Sequence, residues 1–344
     1  MKMKAAVFVG AGRPLAIQQI DVPRPGPGQL LVRVKRCGVC GSDLHLTEAH
    51  AAWQVPHGTV LGHEFAGEIV ELGEGTSDIW REGDRVAALP YVGCGRCREC
   101  LNGYPFHCPE TLSLATGDLI GAFSEYAVIG ARETARVSEH LSWEQAAFTE
   151  PVAVGIRAVA CAGITLGARV LIVGAGPIGL SAAACAKLSG AGAVVVCART
   201  DRHADRAVAM GATEFLLNDA DLRRNFIRHA GGPPEIVIEC AGVPGMLDLC
   251  CDLAEKRGRV VIAGGCNGKD PLNVLTPLCK ELTFRFAVCY TIREFALAER
   301  LIASARINPM PMYDGEVSLH QLPARFEELR RNKDACKLMV NLDA

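Results

Sequence analysis

The stretch "VLIVGAGPIGLSAAA", Val170 to Ala184, decides the fold. It opens on four apolar residues that read as a buried strand and closes on small residues that read as the start of a helix. Between them stand Gly174, Gly176 and Gly179, in the pattern G-x-G-x-x-G. In such a turn the first glycine allows the tight bend, the second lets backbone approach a pyrophosphate, and the third lets the helix pack on the sheet. The helix N-terminus then offers free N–H groups to the anion. The motif alone is weak, but here it sits between a strand and a helix, as a dinucleotide site requires. The candidate cofactor-binding residues are Gly174, Gly176, Pro177, Ile178 and Gly179, with Ala241 and Gly242 at the end of "EIVIECAG".

Working outward, short apolar strands alternate with helices from about residue 151. After the helix to Ser189 come "AVVVCA", a helix around Asp201 to Met210, "EIVIECAG", a helix from about Pro244, "GRVVIAGG" and "LTFRFAV". This rhythm indicates βαβ units on a parallel sheet. Residues 1–150 differ. "AAVFVG", "LLVRVKRCGV", "EFAGEIVELG" and "DRVAAL" are short strands punctuated by Gly and Pro, which predicts an irregular, mostly β domain. The tail from about residue 290 holds helical pieces and a last strand, "CKLMVNLD". The pairs Arg223–Arg224 and Arg330–Arg331 read as solvated helix faces.

The 344 residues suggest two domains. A net charge of −2 gives no reason to expect nucleic acid or an anionic membrane. Sixteen cysteines raise the question of a secreted disulfide scaffold. The charged, strand-like start "MKMKAAVFVG" and the length of the chain argue against it. Cys161, Cys185, Cys197 and Cys240 sit singly in apolar runs, where a free cysteine behaves as a small hydrophobe. The expectation is a reduced, cytoplasmic protein.

Four cysteines are different. Cys94, Cys97, Cys100 and Cys108 follow C-x2-C-x2-C-x7-C, a spacing that suits a closed tetrahedral zinc site with no position left for substrate. An iron–sulfur cluster is the chemical rival. Two disulfides so close together would strain the chain. Chemistry points instead to "CGVCGSDLH" (Cys37 to His45), "GHE" (Gly62 to Glu64) and Glu150 in "FTEPVAVG". A cysteine, a histidine and carboxylates far apart in sequence can converge on a second metal with an open position.

These pieces, with "VLGHEFAGEIVELGEG", "GDRVA", "GAFSEYAV" and "EPVAVGIRAV", are in order and specific. Over its full length the sequence resembles the zinc-dependent medium-chain alcohol dehydrogenases, nearest the sorbitol, threonine and butanediol dehydrogenase branch. The resemblance implies an α/β protein: a GroES-like, mostly β catalytic domain (1–150 and 290–344) interrupted by a Rossmann coenzyme domain (151–289). It implies two zinc ions. Cys94, Cys97, Cys100 and Cys108 would hold the structural one. Cys40, His63 and a carboxylate, Glu64 or Glu150 or each in turn, would hold the catalytic one. Where Glu150 stands, other alcohol dehydrogenases have a cysteine, which leaves the ligand set open. Ser42 and His45 match the family's proton relay, and Asp43 matches a residue that orients the metal-binding histidine.

The implied reaction is reversible hydride transfer between an alcohol and NAD(P). Zinc stabilises the alkoxide, and Ser42 passes the proton towards His45. The alternatives, a non-catalytic relative or a zinc-free reductase of the same fold, fit poorly with so complete a set of residues. Trp53, Leu119 and Ile120 favour a fairly apolar secondary alcohol or ketone. The resemblance also implies a homo-oligomer, dimer or tetramer, and "LTFRFAVCY" offers a sheet edge that two copies could share.

Cofactor choice is read from "VVVCARTDRHADR". The acidic residue that normally binds the NAD ribose hydroxyls falls at Ala198, and Arg199 follows. A missing carboxylate and an adjacent guanidinium favour the 2′-phosphate of NADP. Asp201 reads as a helix N-cap.

Overall fold

In the computed structural model the glycine motif joins the strand Arg169–Val173 to the helix Pro177–Leu188. The strand occupies the middle of a six-stranded sheet in which every pairing is parallel. Its order is Glu214–Leu217, Ala193–Ala198, Arg169–Val173, Ile236–Glu239, Arg259–Ile262 and Thr283–Phe286. Numbered along the chain that is 3-2-1-4-5-6, the doubly wound order whose reversal beside the first strand creates a ligand crevice. Leu171, Val195, Val237 and Val260 fill the core on one face, with Phe226, Cys197 and Cys250. The lone cysteines of these runs are packing residues: Cys185 and Cys197 are buried, Cys161 and Cys240 half-buried.

The structure describes residues 1–51, 54–114, 116–332 and 335–343. Trp53 lies outside them. The chain forms two compact units: Met1–Glu150 with Thr291–Arg306 and Tyr313–Ala344, and Pro151–Tyr290 with Ile307–Met312. The tail is thus not one block. Ile307–Met312 packs with the parallel-sheet unit because Met312 is fully buried there: Ser181 Oγ reaches its sulfur at 3.8 Å, and Arg206 donates to its carbonyl at 3.3 Å.

The first unit is built on a mostly antiparallel sheet. Its order is Tyr313–Ser318, Lys337–Asn341, Gln29–Gly38, Glu64–Leu72, Arg85–Ala88 and Thr134–Arg136, with Tyr126–Gly130 also paired to Gln29–Gly38. Phe8, Phe65, Phe123 and Phe326 are buried in its core. The register brings three distant segments together at one point. Gly38 stands opposite Glu64 on one neighbouring strand and opposite Met339 on the other, two residues from Lys337.

Candidate active site and metal centres

Within the first unit, Cys40 precedes a short helix, Gly41–Leu46, that carries Ser42, Asp43 and His45. Ser42 and His45 are three residues apart and so share a helix face. Asp43 is fully buried and organises its surroundings. One of its oxygens accepts from the Cys40 N–H at 2.9 Å; the other accepts from the Gly62 N–H at 3.4 Å and lies 3.2 Å from His63 Nδ1. The other ring nitrogen, His63 Nε2, lies 3.3 Å from Ser42 Oγ. Burial opposes a charge on His63, but the field and hydrogen bond of Asp43, helped by Cys40, outweigh it and hold the imidazole well above its ordinary pKa.

Cys40, His63 and Glu64 offer ligand atoms that all lie within 4.8 Å of one another. Thiolate, imidazole and carboxylate are the donors zinc takes at open sites, so the set fits such an ion. Glu150 is buried at the first turn of the helix Thr149–Ala162 but is not one of those three. His45 is about one-third exposed on its side chain (36%), and its Nδ1 is 3.4 Å from Glu48.

Lys337 was not anticipated. It is almost fully buried, and its Nζ donates to both oxygens of Glu64, at 2.7 and 2.5 Å, and to the Val39 carbonyl at 3.1 Å. Burial opposes its charge, but Glu64, Cys40 and Glu150 outweigh that and raise its pKa. A second correction concerns Arg330, read from sequence as solvated. Its guanidinium donates to the Leu44 carbonyl and to Thr47 Oγ1, each at 2.8 Å, and so ties down the end of the helix that carries Ser42 and His45. Leu119 and Ile120 are half-buried against the core of the same unit.

Cys94, Cys97, Cys100 and Cys108 form the other cluster, with all sulfurs within 4.8 Å of one another. Backbone N–H groups point at the sulfurs: Cys94 and Glu110 donate to Cys108, and Cys100 donates to Cys97, at 3.3–3.5 Å. Donors of this kind, from Arg96 and Cys97, pull the Cys94 thiol down to about 6, while burial pushes Cys100 up to about 12. A central cation would favour all four as thiolates. The residues fit a closed zinc site.

In the second unit, Gly174 adopts φ +111°, and a side chain there would meet the Ala241 backbone nitrogen at 2.9 Å. A side chain at Gly179 would strike the Gly174 carbonyl. Gly176 caps the helix and Pro177 opens it, with Ile178 in its first turn. Ala241 and Gly242 lie beside this turn, and both donate to the buried Glu239, at 2.6 and 2.8 Å. Glu239 was missed from sequence, although a carboxylate closing an apolar strand was the available signal. Ala198 ends the second strand, and the exposed Arg199 follows. Asp201 is not the helix cap: the helix starts at Ala204 with His203 at that position, because the Asp201 carbonyl, not its side chain, receives the Ala204 N–H.

Residues 26–139 match the model of the alcohol dehydrogenase GroES-like domain, and residues 177–304 that of zinc-binding dehydrogenases. A sorbitol dehydrogenase of Bacillus subtilis is 33% identical over 98% of this chain and 97% of its own length. The chain belongs to the zinc-dependent medium-chain alcohol dehydrogenases. As a member it is an NAD(P)-dependent oxidoreductase acting on alcohols. An L-threonine 3-dehydrogenase of Pyrococcus horikoshii is 31% identical over 90% of each dehydrogenase. A zinc-binding dehydrogenase from Sinorhizobium meliloti, solved with NADP bound, superposes with a TM-score of 0.88 at 29% identity, covering 99% of both chains. Among the described residues, no helix is long and apolar enough to cross a membrane.

Proposed function

We propose that this dehydrogenase interconverts a fairly apolar secondary alcohol and its ketone, prefers NADP, and carries two zinc ions. The observation that supports the reading most is the open set of Cys40, His63 and Glu64, in the same unit as a closed four-cysteine set. Cys40 and His63 hold the catalytic ion, with a carboxylate from Glu64 or Glu150. Cys94, Cys97, Cys100 and Cys108 hold the other, which fixes their loop.

Bound at the open set, zinc supplies a Lewis acid that eases loss of the alcohol proton and polarises a ketone. The chain's own residues do the rest. Asp43 receives the Nδ1 proton of His63 and so leaves Nε2 for the metal. Ser42 Oγ, beside that nitrogen, takes the substrate proton. His45, on the same helix face and partly exposed, carries it towards solvent. The parallel-sheet unit holds the dinucleotide: Gly174, Gly176, Pro177, Ile178 and Gly179 receive its pyrophosphate, Ala241 and Gly242 line the turn beside it, and NADP supplies the hydride acceptor. Arg199, free of a neighbouring carboxylate at Ala198, binds the 2′-phosphate. Leu119 and Ile120 give the substrate site its apolar character.

The dehydrogenase works as a homo-oligomer, dimer or tetramer, in the cytoplasm, where thiols stay reduced. Support for self-association comes from Thr283–Phe286, the last strand of its sheet, with Phe286 exposed at its end and Val288 exposed two residues on. An uncovered apolar edge of this kind is a pairing surface.

The test is an NAD(P)-linked screen of alcohols and ketones on zinc-loaded protein. Secondary alcohols of four or more carbons should be oxidised with NADP, faster than polyols. Turnover confined to polyols or amino alcohols would remove the substrate reading.

A further inference from the structure

Glu239 closes Ile236–Glu239, an inner strand of the parallel sheet, and only 2% of it is exposed. Its partners in register are Val173 on one side and Ile262 on the other, so packing alone calls for an apolar side chain there. A carboxylate in such a place costs free energy unless it is held. Among the described residues it is held by backbone, and it pairs with no lysine, arginine or histidine. A single oxygen, Oε1, accepts both the Ala241 N–H at 2.6 Å and the Gly242 N–H at 2.8 Å.

The turn gathered in this way is packed backbone against backbone on two sides. On one side is the glycine motif, where a side chain at Gly174 would meet the Ala241 nitrogen. On the other is the turn after the next strand. Gly242 adopts φ +62°, and a side chain there would meet the Gly265 carbonyl oxygen at 2.9 Å. A side chain at Gly264 would strike the second Glu239 oxygen, and the Gly264 N–H donates to the Glu239 main-chain carbonyl at 2.9 Å. The sheet order 3-2-1-4-5-6 has two halves, and each takes one nucleotide of a dinucleotide. Ala198, at the end of the second strand, marks the adenosine half. The turns that Glu239 holds, after the fourth and fifth strands, belong to the other half, which takes the nicotinamide.

We infer that Glu239 is a positioning residue that shapes the nicotinamide half of the coenzyme site through the Ala241–Gly242 turn, and that it does so by the reach of its oxygen rather than by its charge. Its bonds go to the turn, so it acts through backbone and not on the coenzyme itself. The inference rests on the proposed dinucleotide site at Gly174 to Gly179. It does not follow from that motif, whose glycines all belong to the turn after the first strand.

The experiment measures dissociation constants by calorimetry on the full-length, zinc-loaded dehydrogenase. The probes are NADPH and NADH and their adenosine ends, adenosine 2′,5′-bisphosphate and ADP. The control is Gly176→Val. A Cβ there meets nothing within 4 Å, so the fold accepts it, but the side chain fills the approach of the pyrophosphate. It should weaken dinucleotide and adenosine end together. Wild-type binding of both in Gly176→Val would remove the underlying site, separately from the role of Glu239. With that control in place, Glu239→Ala should weaken whichever dinucleotide wild type binds more tightly by about 10–100-fold, the cost of leaving buried N–H groups unpaired. Its adenosine end should bind as in wild type, and zinc content should not change. Glu239→Gln keeps an oxygen for both N–H groups and should rescue binding to within about fivefold of wild type. Glu239→Asp keeps the charge but stops one methylene short, and should weaken the dinucleotide as Glu239→Ala does. Wild-type affinity in Glu239→Ala, equal loss of dinucleotide and adenosine end, or a folded Glu239→Gln as weak as Glu239→Ala would each overturn the inference. If Glu239→Ala does not fold, the Glu239→Asp and Glu239→Gln pair decides alone: loss in the first with rescue in the second upholds the inference, and any other pattern overturns it.

Discussion

Asp43 Oδ1 stands 3.2 Å from His63 Nδ1, while the other oxygen of the same carboxylate accepts the Cys40 N–H at 2.9 Å. One buried carboxylate therefore faces the Nδ1 side of the histidine ring and also fixes the start of the helix that comes after the cysteine. Asp43→Asn keeps the shape but removes the charge that favours an Nδ1 donor. Zinc affinity at the open site should fall by about 10–100-fold, with the four-cysteine ion retained. Competition against a chelator, read by metal content, checks this. Unchanged affinity would mean that Asp43 only shapes the loop.

His45→Ala should lower alcohol oxidation by about 10²–10⁴-fold at neutral pH, the usual worth of general acid–base help. Hydroxide or buffer base should restore part of that loss at high pH, since the missing function is proton removal. A pH–rate profile against wild type reads it. Loss of metal in this variant would show that His45 is a ligand.

Arg330 acts at a distance from the chemistry, through the Leu44 carbonyl and Thr47. Arg330→Ala should loosen the Ser42 and His45 helix and cost roughly 10–100-fold in kcat, as small misplacements of reacting groups do. Zinc content should not change. Arg330→Lys should rescue little, because one ammonium cannot reproduce two divergent N–H donors. A kcat equal to wild type in Arg330→Ala would make the contact purely structural.

Arg199→Ala should shift the ratio of kcat/KM for NADP over NAD by about 10- to 100-fold towards NAD, the worth of a charge-assisted phosphate contact. Steady-state kinetics with both cofactors measures it. An unchanged ratio would return Arg199 to an ordinary surface residue.

The parallel sheet was legible because its signals are local. Each strand read from the sequence is a short apolar run, and the three glycines sit between strand and helix; the edge strand Glu214–Leu217 and the helix Leu222–Ala230 after it were not read, and the strand order comes from the structure. The four-cysteine loop was legible from its spacing, while Cys40, His63 and a carboxylate, Glu64 or Glu150, were picked out by the family resemblance that their fragments carry. Lys337 carries no such mark. It is one lysine at the start of "KLMVN", and its meeting with Glu64 depends on the register of three strands distant in sequence. Arg330 escaped because a pair of arginines near a helix end usually faces water. Here the buried Phe326, one turn earlier, turns that face inward, and the guanidinium lies 5.4 Å from its ring. The helix start at Ala204, not Asp201, is a matter of one turn, and a backbone carbonyl settles it rather than a side chain.

Two metals with separate duties form the centre of this account, and one comparison measures it: zinc content, turnover and Tm of wild type, Cys40→Ser and Cys97→Ser side by side. Wild type should hold two zinc ions per chain. Cys40→Ser should lose one ion and all turnover while its Tm stays near wild type. Cys97→Ser should lose the other and with it stability, since a structural ion contributes directly to folding free energy. Equal loss of fold and activity in both variants, or iron in place of zinc, would contradict it.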